Sequence, residues 1–157
     1  MSQKALLLSI HSRFAEMIFS GTKTIELRRR RPRVNTGDLV FVYVPTPVRA
    51  LIGAFEVGRT IEGPPKSIWK NWSSATGLTQ AAFDRYFFGR KLAYGIVIKK
   101  YWRLDESVGL ETLRKRKRGF HPPQAFHYLP LGQLAALGSL CIDSLRSGMR
   151  PLQVRAK

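Results

Sequence analysis

The sequence predicts an α+β domain, a small β-barrel of about five to six strands with peripheral helices. Three observations support this class. The chain has 157 residues, a length that suits one domain. Its apolar segments are short and are separated by Gly- and Pro-rich links, as in strands joined by tight connections. Helical periodicity is confined to a few brief segments between these strands. We assign residues 1–147 to the domain and 148–157 to a flexible basic tail.

The first half of the chain is predicted to contain four strands and one helix. Residues 4–10 form a short continuous apolar run, which is typical of a buried strand. Apolar residues then recur at helical spacing over 12–21. Gly53 indicates a bulge or bend within the longest strand of this half. The remaining predicted strands cover 22–29, 39–44 and 48–63.

The second half is predicted to contain helical segments, one long strand and a loop. Thr79 can cap the helix that follows it. Residues 91–104 form the last long strand by their apolar pattern. Residues 121–130 should form a loop, because their prolines block regular structure. The predicted helical segments cover 64–77, 78–90, a single turn before a basic tip within 109–120, and an apolar helix over 131–146.

The charge balance is extreme and limits the classes of partner. The chain carries 27 Lys and Arg against 10 Asp and Glu, which gives a formal net charge of +17 and a sequence pI near 11.0. Such a charge attracts polyanions, so nucleic acid is the expected partner, with a plain cationic surface or contact with anionic lipid as alternatives. RNA is favoured, and DNA stays open because phosphate contacts are alike in both.

Cysteine, histidine and apolar content indicate a reducing, aqueous environment. The single cysteine, Cys141, cannot form an intrachain disulfide, and its apolar neighbours favour a buried thiol. Cys and His residues do not show zinc-site spacing, so we expect neither a metal nor a cofactor. The apolar runs are shorter than the roughly 20 residues that span a bilayer, and the N-terminal run is too short for a secretory signal. We therefore expect a cytoplasmic protein without membrane contact.

One acid stands inside the main arginine run, in "GTKTIELRRRRPR" at 21–33. On a strand with two-residue periodicity, Ile25 and Leu27 share one face. Glu26 and Arg28 share the other. The strand thus has an apolar side and a polar, chemically active side. A lone acid weakens a grip on phosphate, so its presence requires a specific role.

Residues 6–32, "LLLSIHSRFAEMIFSGTKTIELRRRRP", resemble the opening of the ASCH domain, a branch of the PUA-like superfamily. The shared pattern is a strand ending in Ser-Ile, a helix with an apolar stripe, and then G-x-K-x-x-E-x-R. Later segments, "VYVPTPV", "GAFEVG" and "PPQ", resemble one bacterial, archaeal and phage group of that family. This group usually has a proline where the chain has Ser12, a departure that affects the start of the helix. The four motif positions are Gly21, Lys23, Glu26 and Arg28.

The resemblance implies a PUA-like β-barrel whose cleft is lined by the motif strand, similar to RNA-binding modules and readers of modified bases. One ASCH branch is an amidohydrolase acting on an acylated cytosine nucleoside, and others are proposed nucleases. The amidohydrolase branch uses the motif lysine, a threonine two residues before the motif arginine, and a separate acid. In this chain that threonine position is Glu26, and Thr24 lies two residues earlier, which weakens the case for this chemistry. If the chain is an enzyme, the candidates are Lys23, Glu26 and Thr24; otherwise no catalytic residue is assigned.

Three interpretations of Glu26 stay open. It can form a structural ion pair with Arg28 or with an arginine of a neighbouring strand, if the hydrogen-bond geometry offsets desolvation. It can accept a hydrogen bond from the exocyclic amine of a base such as cytosine. It can act in general acid/base chemistry with Lys23, which requires shifted pKa values.

The candidate nucleic-acid contacts combine cations, aromatic rings and an amide. Arginine side chains bind phosphates bidentately and stack on bases. Tyr43 is as compatible with the core as with base stacking. Gln124 lies in a loop stiffened by two prolines, where its amide can both donate and accept. The predicted binding residues are Ser9, His11, Lys23, Glu26, Arg28, Arg30, Arg31, Tyr43, Arg49, Arg116, Lys117, Gln124 and Phe126.

The sequence therefore predicts a nucleic-acid-binding domain that holds RNA, or a modified nucleotide, in a cleft of the motif strand. The alternative is a hydrolase that acts on modified nucleosides or on RNA. A third interpretation is sequence-independent binding to RNA or DNA through charge alone.

Overall fold

The computed structural model of the protein describes residues 5–129 and the backbone of residues 152–153. The strands are β1 (Ala5–Ser9), β2 (Ile25–Arg28), β3 (Leu39–Val44), β4 (Ala50–Gly63), β5 (Ala93–Gly109), β6 (Phe126–Leu129) and β7 (Leu152–Gln153). The helices are α1 (Ser12–Phe19), α2 (Pro65–Trp72), α3 (Gln80–Tyr86) and α4 (Leu110–Arg116), with a 3-10 turn at Ser73–Ala75. Among the described residues, none of the helices has the length and apolar character needed to cross a bilayer.

The strands form one curled sheet in the order β2-β5-β4-β3-β1-β6, and β7 pairs with β5. β1 and β3 run parallel, whereas the other pairs among these strands are antiparallel. Register shifts in the β3–β4 and β4–β5 pairs bend the sheet. The sheet curls into a half-barrel with the helices around it. The predicted α+β class, a small barrel-like sheet with peripheral helices, is confirmed.

β1 is buried on both of its faces. Leu6 and Leu8 belong to the core cluster beneath α1, together with Ile18. Leu7 points to the opposite side and joins the cluster beneath α4, which includes Leu113. Burial on both faces explains why this strand is a continuous apolar run and does not alternate.

β4 bends at Gly53, as the sequence predicts. The register of the β4–β5 pair shifts between Leu51 and Gly53. A Cβ atom at Gly53 would lie 2.5 Å from the Phe19 ring and would also clash with the Trp102 carbonyl. A side chain here would push α1 away from the sheet, so this glycine fixes the position of α1.

Three predictions of secondary structure are corrected by the structure. The segment predicted as a loop contains β6, because Pro122 and Pro123 precede the strand and Phe126 pairs with Leu8 of β1. Pairing with a distant strand thus supplies the regular structure. β5 continues to Gly109, past its predicted end, and α4 has seven residues where one turn was expected. The predicted helix at 131–146, with its cysteine, lies outside the described residues.

Candidate functional site

A cavity of about 840 Å³ lies between α1, β2, α3 and the loop before β6. Its volume falls within the usual range for small-ligand sites, roughly 300–1,000 Å³. Glu26 and Arg28 line it from the polar face of β2. Ile25 packs with Phe83 in the core cluster beneath α3. The cavity is therefore built on the side of the strand that the alternation predicts to be polar.

α3 forms one wall of the cavity. Thr79 Oγ1 accepts a hydrogen bond from the Ala82 N–H at 3.2 Å, so Thr79 caps the helix as predicted. Ala82 and Tyr86, one turn apart, line the cavity. Phe83 and Phe87 are buried in the core on the adjacent face. The apolar stripe of this helix is thus shared between the core and the cavity.

Three charged side chains are buried together at the floor of the cavity. Lys23, Glu26 and Arg28, named here the buried charge cluster, are only 4%, 7% and 8% exposed. Glu26 Oε1 accepts a hydrogen bond from Arg28 Nη2 at 2.9 Å, and its Oε2 is 3.5 Å from Lys23 Nζ. Charges are buried only where they are paired. These contacts match the ion-pair interpretation of Glu26, and they leave part of its acceptor capacity unused.

Lys23 ties the start of β2 to the segment that follows α2. Its Nζ donates to the Thr76 carbonyl at 2.7 Å and lies 5.4 Å from the centre of the Phe14 ring. Burial lowers the pKa of the Lys23 amine; Glu26 opposes this shift and Arg28 adds to it. These contacts hold the amine in place where Lys23 lines the cavity.

Arg28 carries a donor that the described residues leave without a partner. Its Nη2 serves Glu26 and also lies 3.5 Å from the Ser9 carbonyl. Its Nε is buried and has no hydrogen-bond partner within residues 5–129. Buried donors are nearly always satisfied. This unpartnered guanidinium nitrogen makes Arg28, which lines the cavity, a candidate ligand contact.

The loop before β6 closes another side of the cavity. Ser9 Oγ donates to the Pro123 carbonyl at 2.5 Å, which holds this loop against β1. Gln124 is exposed and Phe126 is half-buried, and both line the cavity. His11, the exposed N-cap residue of α1, lines it from the other side of β1.

Exposed arginines surround the opening. Arg29, Arg30 and Arg90, named here the rim arginines, line the cavity and are exposed. The Arg29 guanidinium lies 5.9 Å from the centre of the Tyr86 ring. The pKa of the Tyr86 hydroxyl is raised, because the effect of burial exceeds the opposing effect of the nearby Arg28. The opening of the cavity is therefore strongly cationic.

The cavity brings together most of the binding residues predicted from sequence. Glu26 is the sole acid among the described residues that line it. Within the described part of the chain, no group of three or more His, Cys, Asp or Glu could hold a metal ion. The predicted residues that line the cavity are Ser9, His11, Lys23, Glu26, Arg28, Arg30, Gln124 and Phe126.

Several predicted residues lie outside the cavity lining. Thr24 precedes β2 and is half-buried, with its N–H bonded to the Ala75 carbonyl. Thr24 is not among the residues that line the cavity. Arg31 is exposed and does not line the cavity. Arg116 ends α4 and Lys117 is its C-cap residue, also away from the cavity.

Tyr43 and Arg49 belong to a separate place in the fold. Tyr43 is 1% exposed and lies in the core cluster beneath α4, so it does not offer a stacking surface in the cavity. Arg49 has φ 51°, a left-handed conformation that costs roughly 1–2 kcal/mol in a non-glycine residue. The pKa of the Tyr43 hydroxyl is raised, because the effect of burial exceeds the opposing effects of Arg49 and Arg114. We name these three residues the Tyr43 locus.

Nine residues that line the cavity are not among the binding residues predicted from the sequence, namely Ile10, Phe14, Leu27, Arg29, Leu78, Ala82, Tyr86, Arg90 and Ala125. Phe14, Ala82 and Tyr86 belong to apolar helical stripes, which are typical of a core face. Arg29, a member of the arginine run, and Arg90 also line the cavity. Their signal was weak, because periodicity separates a buried face from an exposed one but not a core face from a cavity wall.

A curled half-barrel with a cationic cavity on its edge strand defines the class of protein as an ASCH-type α+β domain. Residues 8–106 match the ASCH domain family. The chain therefore belongs to the ASCH domain family.

Individual relatives agree with this assignment. An ASCH domain-containing ribonuclease of Zymomonas mobilis is 26% identical over 138 residues, which cover 88% of this chain and 93% of the relative. The crystal structure of ASCH from Zymomonas mobilis matches with a TM-score of 0.83 at 26% identity and covers 88% of this chain and 96% of that one. The N-terminal domain of Staphylothermus marinus McrB matches with a TM-score of 0.54 at 10% identity, over 87% of this chain and 92% of that one. This last likeness shows the fold alone.

Proposed function

We propose that the domain binds RNA and holds one nucleotide in the cavity. The buried charge cluster would contact the nucleotide, and the rim arginines would contact the flanking backbone. The observation that carries this proposal is the unpartnered guanidinium donor of Arg28 in the lining of a cationic cavity of about 840 Å³. A nucleotide offers such a site both acceptor oxygens and a planar ring.

The walls of the cavity support a base as part of the ligand. Phe14 on α1, Tyr86 on α3 and Phe126 on β6 line it from different sides. Stacking of a base on an aromatic ring contributes about 1–3 kcal/mol. Glu26 retains acceptor positions to which a base amine can donate. The cavity therefore combines aromatic surfaces on which a base can stack with a carboxylate that can distinguish bases by their hydrogen-bonding edges.

A substitution that fills the cavity with a bulky uncharged side chain tests this proposal without changing any charge. Ala82 lines the cavity, whereas Ala81 precedes it on the same helix and is exposed. We expect Ala82→Trp to weaken binding of a labelled single-stranded RNA about tenfold or more, with an unchanged salt dependence. Ala81→Trp is the matched control and should bind like the wild type. Fluorescence anisotropy measures both, and equal affinities of the two folded variants would show that RNA does not enter the cavity.

Ribonuclease activity is a second candidate function, favoured by the Zymomonas mobilis relative named as an ASCH domain-containing ribonuclease. The Tyr43 locus is the better candidate for this chemistry than the buried charge cluster, where Lys23 is already held by Thr76. Two guanidinium groups can stabilise negative charge that develops on a phosphate. A general-acid role for Tyr43 requires that its phenol, in a residue only 1% exposed here, reach the leaving oxygen when RNA binds.

Cleavage of end-labelled single-stranded RNA separates the two functions. A ribonuclease should give products that Tyr43→Phe reduces about a hundredfold or more, the usual effect of removing a general acid. Tyr43→Phe keeps the ring and should leave RNA affinity unchanged. If the wild type binds RNA and gives no products, binding stands and the nuclease proposal fails.

A further inference from the structure

The N-terminus of α1 lies at the edge of the cavity, which His11 and Phe14 line. His11, its N-cap residue, lines the cavity and makes no side-chain capping hydrogen bond. The first turn of the helix contains no acidic residue. The N–H groups of Phe14 and Ala15 donate to the His11 carbonyl, so the earlier N–H groups stand at the open end of the helix. This end carries the positive charge of the helix dipole.

Arg28 lies against the same end of α1. Its Nη2 is 3.5 Å from the carbonyl of Ser9, two residues before the N-cap. The side chain is only 10% exposed, and its buried Nε has no partner among the described residues. Glu26, the one acid in the described lining, is already paired with Arg28 itself. The Nε donor of Arg28 thus lies near this positive end of α1 without an acceptor among the described residues.

We propose that the N-terminus of α1 and Arg28 together form the subsite for a phosphate group of the bound nucleotide. Backbone N–H groups at a helix start and a guanidinium group are the two commonest protein partners of phosphate. The inference deepens the proposed function and rests on it. The phosphate can be an internal phosphodiester of RNA or a terminal phosphomonoester, since both present the same oxygens. With the phosphate at this subsite, the base of the nucleotide would lie against the aromatic residues that line the cavity.

Two substitutions at the N-cap separate phosphate binding from helix stability. Aspartate and asparagine have the same shape and are both better caps than histidine. His11→Asp and His11→Asn should therefore leave the thermal midpoint unchanged or raised. Only aspartate adds a negative charge beside the phosphate. We expect His11→Asp to bind a labelled single-stranded RNA on the order of tenfold more weakly than His11→Asn does.

Competition with the wild-type protein gives an independent test. Nucleoside 5′-monophosphates should displace the labelled RNA on the order of tenfold better than the matching nucleosides. Comparing RNA that carries a 5′-phosphate with RNA that carries a 5′-hydroxyl distinguishes a terminal from an internal phosphate. Tighter binding of the 5′-phosphorylated RNA indicates that the subsite holds a terminal phosphate. Equal binding indicates that it holds an internal phosphodiester. Equal competition by nucleosides and monophosphates, or equal loss in both His11 variants, would overturn the subsite. If Ala82→Trp still blocks RNA in that case, the proposed function survives and this inference alone fails.

Discussion

The arginine run at 28–31 and the Lys/Arg run at 114–118 have similar composition but different surroundings. The first begins with Arg28, which is buried and hydrogen-bonded to Glu26 beside the cavity. The second ends α4, where Arg114 and Arg116 are exposed. One run thus includes a side chain that the protein has fixed in place, whereas the exposed arginines of the other present their charges to solvent.

Local structure explains the difference between the two runs. Arg28 is paired with Tyr94 of β5, so the alternation of the strand directs its side chain into the cavity. The cations of the second run lie in the last turn of a helix, where they interact favourably with its negative end. The comparison shows that charge density alone does not define a site. What distinguishes the first run is the buried acid Glu26, which holds Arg28 in one position beside the cavity.

Removing that acid should have the largest effect. Glu26→Ala leaves two buried cations without a counter-charge, so we expect the free energy of unfolding to fall by about 3–5 kcal/mol. Urea denaturation measures this loss.

Glu16→Ala is the matched control, because Glu16 also pairs with an arginine, Arg103, but at an exposed position. Its loss should be at most about 1 kcal/mol. Similar losses for the two variants would mean that burial of the charge cluster has no energetic weight, and the distinction between the two arginine runs would disappear.

The sequence allowed the polar face of β2 to be predicted, because alternation needs only the strand itself. Glu26 and Arg28 follow directly from it. The third member of the cluster could not be placed in the same way: Lys23 precedes the strand, and its partner is the carbonyl of Thr76, 53 residues away. Long-range contacts of this kind leave no periodic signal.

β6 was missed for a related reason. Its prolines indicate a loop, and they do lie in one, but Phe126 pairs with β1 across more than a hundred residues of sequence. The surroundings of Tyr43 could not be predicted either, since an aromatic residue on a strand is compatible with a core or with a binding surface until its neighbours are known.

Neutralising each run in turn should sharpen the comparison. Arg29 and Arg30 line the cavity, whereas Arg116 and Arg118 are exposed outside its lining. For a short RNA, Arg29→Gln with Arg30→Gln should reduce the slope of log affinity against log salt by up to about 1.4, or about 0.7 for each phosphate group that is no longer neutralised.

The pair Arg116→Gln and Arg118→Gln removes the same charge and should leave that slope nearly unchanged for a short RNA. Anisotropy titrations over a range of salt concentrations measure both. Identical slopes for the two double variants would indicate that the short RNA is bound by overall charge and not at the cavity.

The smallest expected effect concerns the second run and pH. Burial and the nearby Lys117 lower the pKa of His127. The folded state therefore binds this proton less readily than the unfolded chain, so stability should fall as pH drops below the ordinary histidine pKa of about 6.5. His127→Gln should flatten this decline between neutral and mildly acidic pH in urea denaturation. An unchanged decline would mean that another group causes it.

The most direct test of the account makes one conservative substitution at two positions of the same run. Arg28→Lys and Arg30→Lys both keep the net charge, but only Arg28 is buried with an unpartnered donor. For single-stranded RNA, we predict that Arg28→Lys weakens binding about tenfold or more at every salt concentration, with an unchanged salt slope. Arg30→Lys should bind like the wild type. If the two folded variants bind RNA equally well, the cavity does not read a nucleotide through Arg28, and the central claim is contradicted.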